Sequence, residues 1–270
     1  GRFDDYDPPQ VALSGGVGSV VGVSSHALWL HAADDVVVVS TLDATRLPNG
    51  VQISAGSEAG LLESVPHGSS VVFGAHALEF GGFFVDLVRW WDARPALPRT
   101  TTDDLAGALV GLQHSVPGID SEPLGSALDG TSPEDLVEAS LALLGRGPGL
   151  TPEGDDVLAG ALAAVRTLGT ALGCTPALAM LNAARDPLVR AAKDRTTTFS
   201  AALIRCALRG EVAAPAAGLL RALAGRGDAG SCYGDLLSVG HTSGPALAAG
   251  IVLGAQTLVE PLATPNGGIQ

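Results

Sequence analysis

Residues 76–95 read HALEFGGFFVDLVRWWDARP, and the fold turns on what happens inside them. Two apolar runs flank Gly81-Gly82, the pair that a two-residue hairpin turn with two positive backbone angles requires. Upstream the same texture continues: VGSVVGVSS from Val17, DVVVVSTL from Asp35, VQISAGS from Val51 and SSVVFGA from Ser69 read as strands, with Pro48-Asn49-Gly50 as a turn. Downstream of Trp90-Trp91-Asp92-Ala93-Arg94-Pro95 the chain becomes rich in Ala and Leu at helical spacing. Ser132-Pro133-Glu134-Asp135 is a helix start with serine as cap, proline in the first turn and acids at the positive end of the dipole. Similar starts recur at Thr151-Pro152, Thr175-Pro176 and Ser243-Gly244-Pro245. The expectation is an α+β protein: a β-rich domain over residues 1–95, barrel-like or sandwich-like, then an α-helical domain over 96–270.

Composition narrows the function classes. Hydrophobic residues make up 46% and charged residues 16% of the chain, so it buries a substantial core. A net charge of -13 with scattered Lys and Arg argues against nucleic acid. Apolar stretches such as residues 157–165 and 245–259 are too short or too interrupted for a membrane span of about 20 residues. The acidic start GRFDDYDPPQ lacks the basic and apolar regions of a secretory signal. Cys174, Cys206 and Cys232 form no CxxC pair. Together these features read as cytoplasmic.

Three segments carry candidate chemistry. The first is GRGPGLTPEGDD, residues 145–156. A plain helix start accounts for Thr151, Pro152 and the acids, but not for glycines at 145, 147 and 149. Alternating glycines let a backbone approach a ligand and expose successive N–H donors, and a following helix N-terminus favours negative charge. Gly147, Gly149, Thr151 and Gly154 are therefore candidate anion-binding residues. Asp155 and Asp156 point about 100° apart on a helix, so one faces the ligand while the other orients the loop or binds a metal. The second segment, DRTTTFS at 194–200, offers Arg195, a bidentate clamp for carboxylate or phosphate, with Thr198 and Ser200; helix capping is the plain reading of one or two of its hydroxyls. The third, GHTSGP at 240–245, offers His241 as an acid, base or hydrogen-bond donor beside Thr242, Ser243 and Gly244.

The remaining motifs read as structural or, for the histidines, as structural or solvated. His26, His31, His67, His76 and His114 have no partner at metal-ligand spacing, Ser14-Gly15-Gly16-Val17-Gly18-Ser19 leads into strand residues rather than a helix, and Cys174 and Cys206 lie in apolar helical surroundings.

Taken in order, GxGxGLTPxGDD, a threonine-rich segment ending in serine, and GHTSG before the last helix resemble the DUF2877 family, which includes the AllH-type subunit of oxamate carbamoyltransferase. The resemblance spans most of the helical half. It implies carbamoyl transfer between oxalurate with phosphate and oxamate with carbamoyl phosphate, and partner subunits resembling FdrA and YlbE proteins. The chain departs from the family at Glu153, where members often carry serine; an anionic substrate then needs an extra cation, or Glu153 lies outside the contact. The leading expectation places a phosphate or carboxylate on Gly147, Gly149 and Thr151, Asp155 or Asp156 and His241 as catalytic candidates, and the remaining hydroxyls as a polar wall. No residue is assigned to a metal. Two rivals stand beside it: a non-catalytic metabolite-binding or regulatory subunit, and a hydrolase using Asp155 and Asp156, perhaps with Asp194 or Asp235, which requires Mg²⁺ or Mn²⁺.

Overall fold

The computed structural model describes residues 16–32, 35–113 and 115–259. Residues Ser14, Gly15 and His114, discussed above, lie outside these. The chain divides into two compact units, Gly1–Ala93 and Arg94–Gln270.

The first unit is a seven-stranded sheet curled into a half-barrel, ordered β4-β3-β2-β1-β5-β6-β7. Its strands are β1 (Gly16–Val23), β2 (Ala27–Ala32), β3 (Asp35–Ser40), β4 (Gly50–Gln52), β5 (Ser70–Phe73), β6 (Ala77–Phe80) and β7 (Phe83–Asp86). All neighbouring pairs are antiparallel except β3 with β4. Alternation sets the inner face: Leu28, Leu30 and Ala32 of β2, Val71 and Phe73 of β5, and Leu78 and Phe80 of β6 are buried while their neighbours are not. The Gly81-Gly82 hairpin is present, with φ of 54° and 84° and Phe80 opposite Phe83. Two strand expectations need correction. β2 was not expected at all, and the strand expected from Val51 is only three residues long, Gly50–Gln52, with a 3-10 turn following at Ser57–Ala59.

The second unit is helical: α1 (Thr102–Leu109), α2 (Glu122–Asp129), α3 (Pro133–Leu143), α4 (Glu153–Leu172), α5 (Thr175–Arg195), α6 (Thr198–Leu208), α7 (Ala214–Leu223), α8 (Ala229–Leu237) and α9 (Ser243–Gln256). α4 is buried almost all round and is the axis of the unit. Its closest neighbour is α9, and glycine explains the closeness. A methyl group on Gly160, Gly250 or Gly254 would collide with the backbone carbonyl of Leu247, Val157 or Ala161 respectively. The helices pack backbone against backbone, which fixes the N-terminus of α9 beside that of α4.

Helix starts divide into two kinds. Ser132 caps α3 by accepting the Asp135 N–H at 3.1 Å, and Thr197 caps α6 by accepting the Ser200 N–H at 3.0 Å. Thr151, Thr175 and Ser243 do not cap: α4, α5 and α9 begin without a side-chain cap, from Pro152, Cys174 and Thr242. For Thr151 and Ser243 the reason is visible, because their hydroxyls bond each other.

Candidate functional site

The loop 145–151 is held by other parts of the unit through two of its carbonyls, the Gly145 N–H and the Thr151 hydroxyl. The Leu150 carbonyl receives the Thr197 hydroxyl at 2.6 Å and the Ser200 hydroxyl at 3.3 Å. The Arg146 carbonyl receives the Gly154 N–H at 2.9 Å. Thr151 Oγ1 and Ser243 Oγ lie 2.7 Å apart, joining the loop to the start of α9. Asp155 Oδ1 accepts the Gly145 N–H at 2.8 Å, and its Oδ2 accepts the Thr196 hydroxyl. Segments 145–156, 194–200 and 240–245, distant in sequence, thus meet through hydrogen bonds.

Four donors of the same loop are left over. Among the described residues, the amides of Gly147, Gly149, Leu150 and Thr151 donate to nothing within the chain, and residues 145–150 are exposed. Gly145, Gly147 and Gly149 have φ of 73°, 117° and 94°, values that favour glycine. At Gly147 a side chain would also meet Glu153, whose amide nitrogen is 2.9 Å and whose Oε2 is 3.2 Å from the Cβ position. Glu153 therefore lies against the loop rather than away from it.

The two aspartates are buried and unlike. Asp155 is 2% exposed with both oxygens engaged. Asp156 is 6% exposed, and its Oδ2 is sealed from solvent without a hydrogen-bond partner. Burial pushes the Asp156 carboxyl up to about 7; the neighbouring Asp155 and Glu153 charges push the same way, while the Ser243 and Thr151 hydroxyls partly oppose them.

The other candidates fall into two groups. Ser200 is buried at 1% exposure, and Gly154 and Gly244 stand where a side chain would strike the carbonyls of Leu143 and of Leu236 and Val239. These three shape the backbone. Arg195, Thr198, His241 and Thr242 are exposed. Arg195 meets the loop through its backbone carbonyl, which abuts Gly145. Sequence reasoning missed Thr196, the partner of Asp155, and Thr197, which both caps α6 and ties down Leu150. The run of three threonines was the available signal, but the hydroxyls that matter are the two preceding the helix.

Asp194 and Asp235 are exposed, and among the described residues no group of three or more His, Cys, Asp or Glu is placed to hold a metal ion. No helix among them is long and apolar enough to cross a membrane. In the β unit, a separate open cavity of about 670 Å³ is lined by Phe80, Phe83, Trp90 and Trp91, with Arg46 lying 5.3 Å from the Trp91 ring centroid. None of the residues selected from the sequence lines it.

A β half-barrel followed by a helical unit, with a glycine loop clasped at the starts of three helices, defines an α+β protein whose polar residues gather at helix N-termini. Residues 143–255 match the family described as oxamate carbamoyltransferase subunit AllH, in agreement with the resemblance carried by the motifs. The match covers less than half of the chain and includes all three segments. No curated protein and no solved structure matches.

Proposed function

We propose that this protein is a carbamoyltransferase subunit that holds a small anionic substrate, of the oxamate, oxalurate, phosphate or carbamoyl phosphate kind, on the loop 145–151. One observation carries the reading: the Arg146 and Leu150 carbonyls and the Gly145 N–H tie the loop to the protein while four of its N–H donors have no partner. Fixed donors without partners are what a carboxylate or phosphate needs, and what stabilises an oxyanion without reorganisation. The matched family's description, a subunit of oxamate carbamoyltransferase, supports the choice of chemistry.

In that chemistry a phosphate oxygen bonds to the carbamoyl carbon of oxalurate, the carbon–nitrogen bond breaks, and the departing nitrogen takes a proton to become oxamate. Asp156 suits the proton transfer. With a carboxyl near 7 it is partly protonated at neutral pH, gives the proton to the leaving nitrogen and recovers it in the reverse direction. The protonated fraction of Asp156 also reduces the conflict between a buried carboxylate and an anionic ligand. Asp155 is a positioning residue that fixes Gly145. Arg195, Thr198, His241 and Thr242 form the exposed rim, and Arg195 supplies the extra cation that Glu153 makes necessary. Partner subunits of the FdrA and YlbE type complete the enzyme.

The metal-dependent hydrolase has less support, because both oxygens of Asp155 are already engaged and Asp194 and Asp235 are exposed. Calorimetric titration of the chain with oxamate, oxalurate, phosphate and carbamoyl phosphate, followed by turnover assays with partner subunits, tests the proposal. Saturable binding of at least one ligand and phosphate-dependent cleavage of oxalurate are expected. Absence of binding by all four would refute the reading, whereas binding without turnover in the complete assembly would make the chain a sensing subunit.

A further inference from the structure

We infer that the cavity of the β half-barrel is a nucleotide-binding site, which takes a flat base against its aromatic walls and a phosphate on Arg46 and Arg89. Every residue that lines it belongs to the first unit and none belongs to the loop 145–151, so the inference stands independently of the anion site proposed above.

The cavity follows from the sheet. Seven strands that curl without closing leave β4 and β7 as edges. Val51 and Ile53 line the cavity from the side of β4, Phe83 and Val85 from β7, and Trp90 and Trp91 from the segment after β7. The first four pack against the inner-face core and are still only partly buried. A volume of about 670 Å³ falls in the range of whole small-molecule sites, which occur preferentially in the mouths of barrels.

Charge narrows the ligand. Arg46 is positioned by neutral groups: its Nε and Nη2 donate to Gln52 Oε1 at 3.2 and 2.9 Å, and its guanidinium lies 5.3 Å from the Trp91 ring centroid. Gln52 is anchored in turn, donating from Nε2 to the carbonyls of Thr41, Leu42 and Ala44. Among the described residues neither Arg46 nor Arg89 has a carboxylate partner, in a chain with 28 Asp and Glu against 15 Lys and Arg. Asp86 is the only acidic residue lining the cavity, and alternation with the inner-face Val85 puts its side chain on the outer face with Phe84. Two guanidiniums without carboxylates match a phosphate, whose several oxygens accept forked donors. The tryptophans and Phe83 offer the flat apolar surface on which a base stacks. Asn49 also lines the cavity; it is 7% exposed, donates Nδ2 to the Val36 carbonyl at 2.9 Å and keeps Oδ1 without a donor, which the exocyclic amine of a base supplies. A simple aromatic carboxylate satisfies the arginines and the rings but brings no such donor.

The test follows the indole N–H signals of Trp29, Trp90 and Trp91 in the ¹⁵N-labelled full chain during titration with AMP, GMP and CMP in separate series. Saturable shifts of Trp90 and Trp91 are expected with at least one nucleotide, while Trp29, which does not line the cavity, stays still. The matching nucleoside, inorganic phosphate and benzoate should each bind there at least about tenfold more weakly. Arg46→Met, at an exposed position, should weaken nucleotide binding by about tenfold and leave nucleoside binding within about threefold. Still signals from Trp90 and Trp91 with all three nucleotides would overturn the inference, as would a nucleoside or benzoate that binds as tightly as the nucleotide. Shifts confined to the amides of residues 147–151 would also overturn it, while supporting the anion site.

Discussion

Asp155 and Asp156 are adjacent, both buried, and opposite in what they do to the fold. Asp155 accepts from Gly145 and Thr196, so Asp155→Ala strands a backbone N–H and a hydroxyl and should lower stability by about 2–4 kcal/mol in urea denaturation. Asp156 has the reverse sign at neutral pH. Its folded carboxyl, at about 7, lies well above the ordinary aspartate range, so the folded state holds the proton more tightly. The resulting stabilisation is fully present below about pH 4 and is lost as pH rises through 7. Asp156→Asn should therefore leave stability at pH 4 nearly unchanged and raise it at pH 8 by about 2–4 kcal/mol, read as a pH-dependent gain in urea midpoint. A variant that is less stable than wild type at both pH values would show that the ionised carboxylate has partners and is not under strain. The sequence made it legible that two consecutive helical aspartates cannot face one ligand. It could not say which turned inward, because that depends on Thr196 and Ser243, residues about 40 and 90 positions away.

At the scale of elements, the site depends on α4 and α9 lying close enough for Thr151 to reach Ser243. Gly250→Ala places a methyl group inside the Val157 carbonyl and must push the helices apart. The expected results are a loss of about 1–3 kcal/mol of stability, as for overpacked cores, and weakened ligand binding although Gly250 touches no ligand. Unchanged affinity in a destabilised variant would separate helix packing from the site. Helical glycines are poorly legible in sequence, where each reads as a residue costing about 1 kcal/mol relative to Ala, and their value appears when the partner helix is known. Turn glycines are the opposite case. Gly81-Gly82 was legible because the requirement for positive φ is local, whereas β2, with its pattern ALWLHA, escaped notice between two stronger strand signals. Thr151 misled for a related reason: threonine before Pro-Glu has the local form of a cap, and a tertiary hydroxyl partner took it away from that role.

Over the whole molecule, the β half-barrel and the helical unit were legible from the change of periodicity near residue 95, since strand alternation and helical spacing are properties of short windows. The meeting of segments 145–156, 194–200 and 240–245 was legible only as a conditional, because convergence is a property of topology. The central claim is that the free amides of Gly147, Gly149, Leu150 and Thr151 hold the anion. The most direct test is to follow the backbone amide NMR signals of the ¹⁵N-labelled chain while titrating oxamate, with carbamoyl phosphate in a parallel series. Saturable shifts at these four residues, with smaller changes at Thr196, Thr197 and Ser243, are the expected result. Saturable shifts elsewhere, with these four signals still, would contradict the claim.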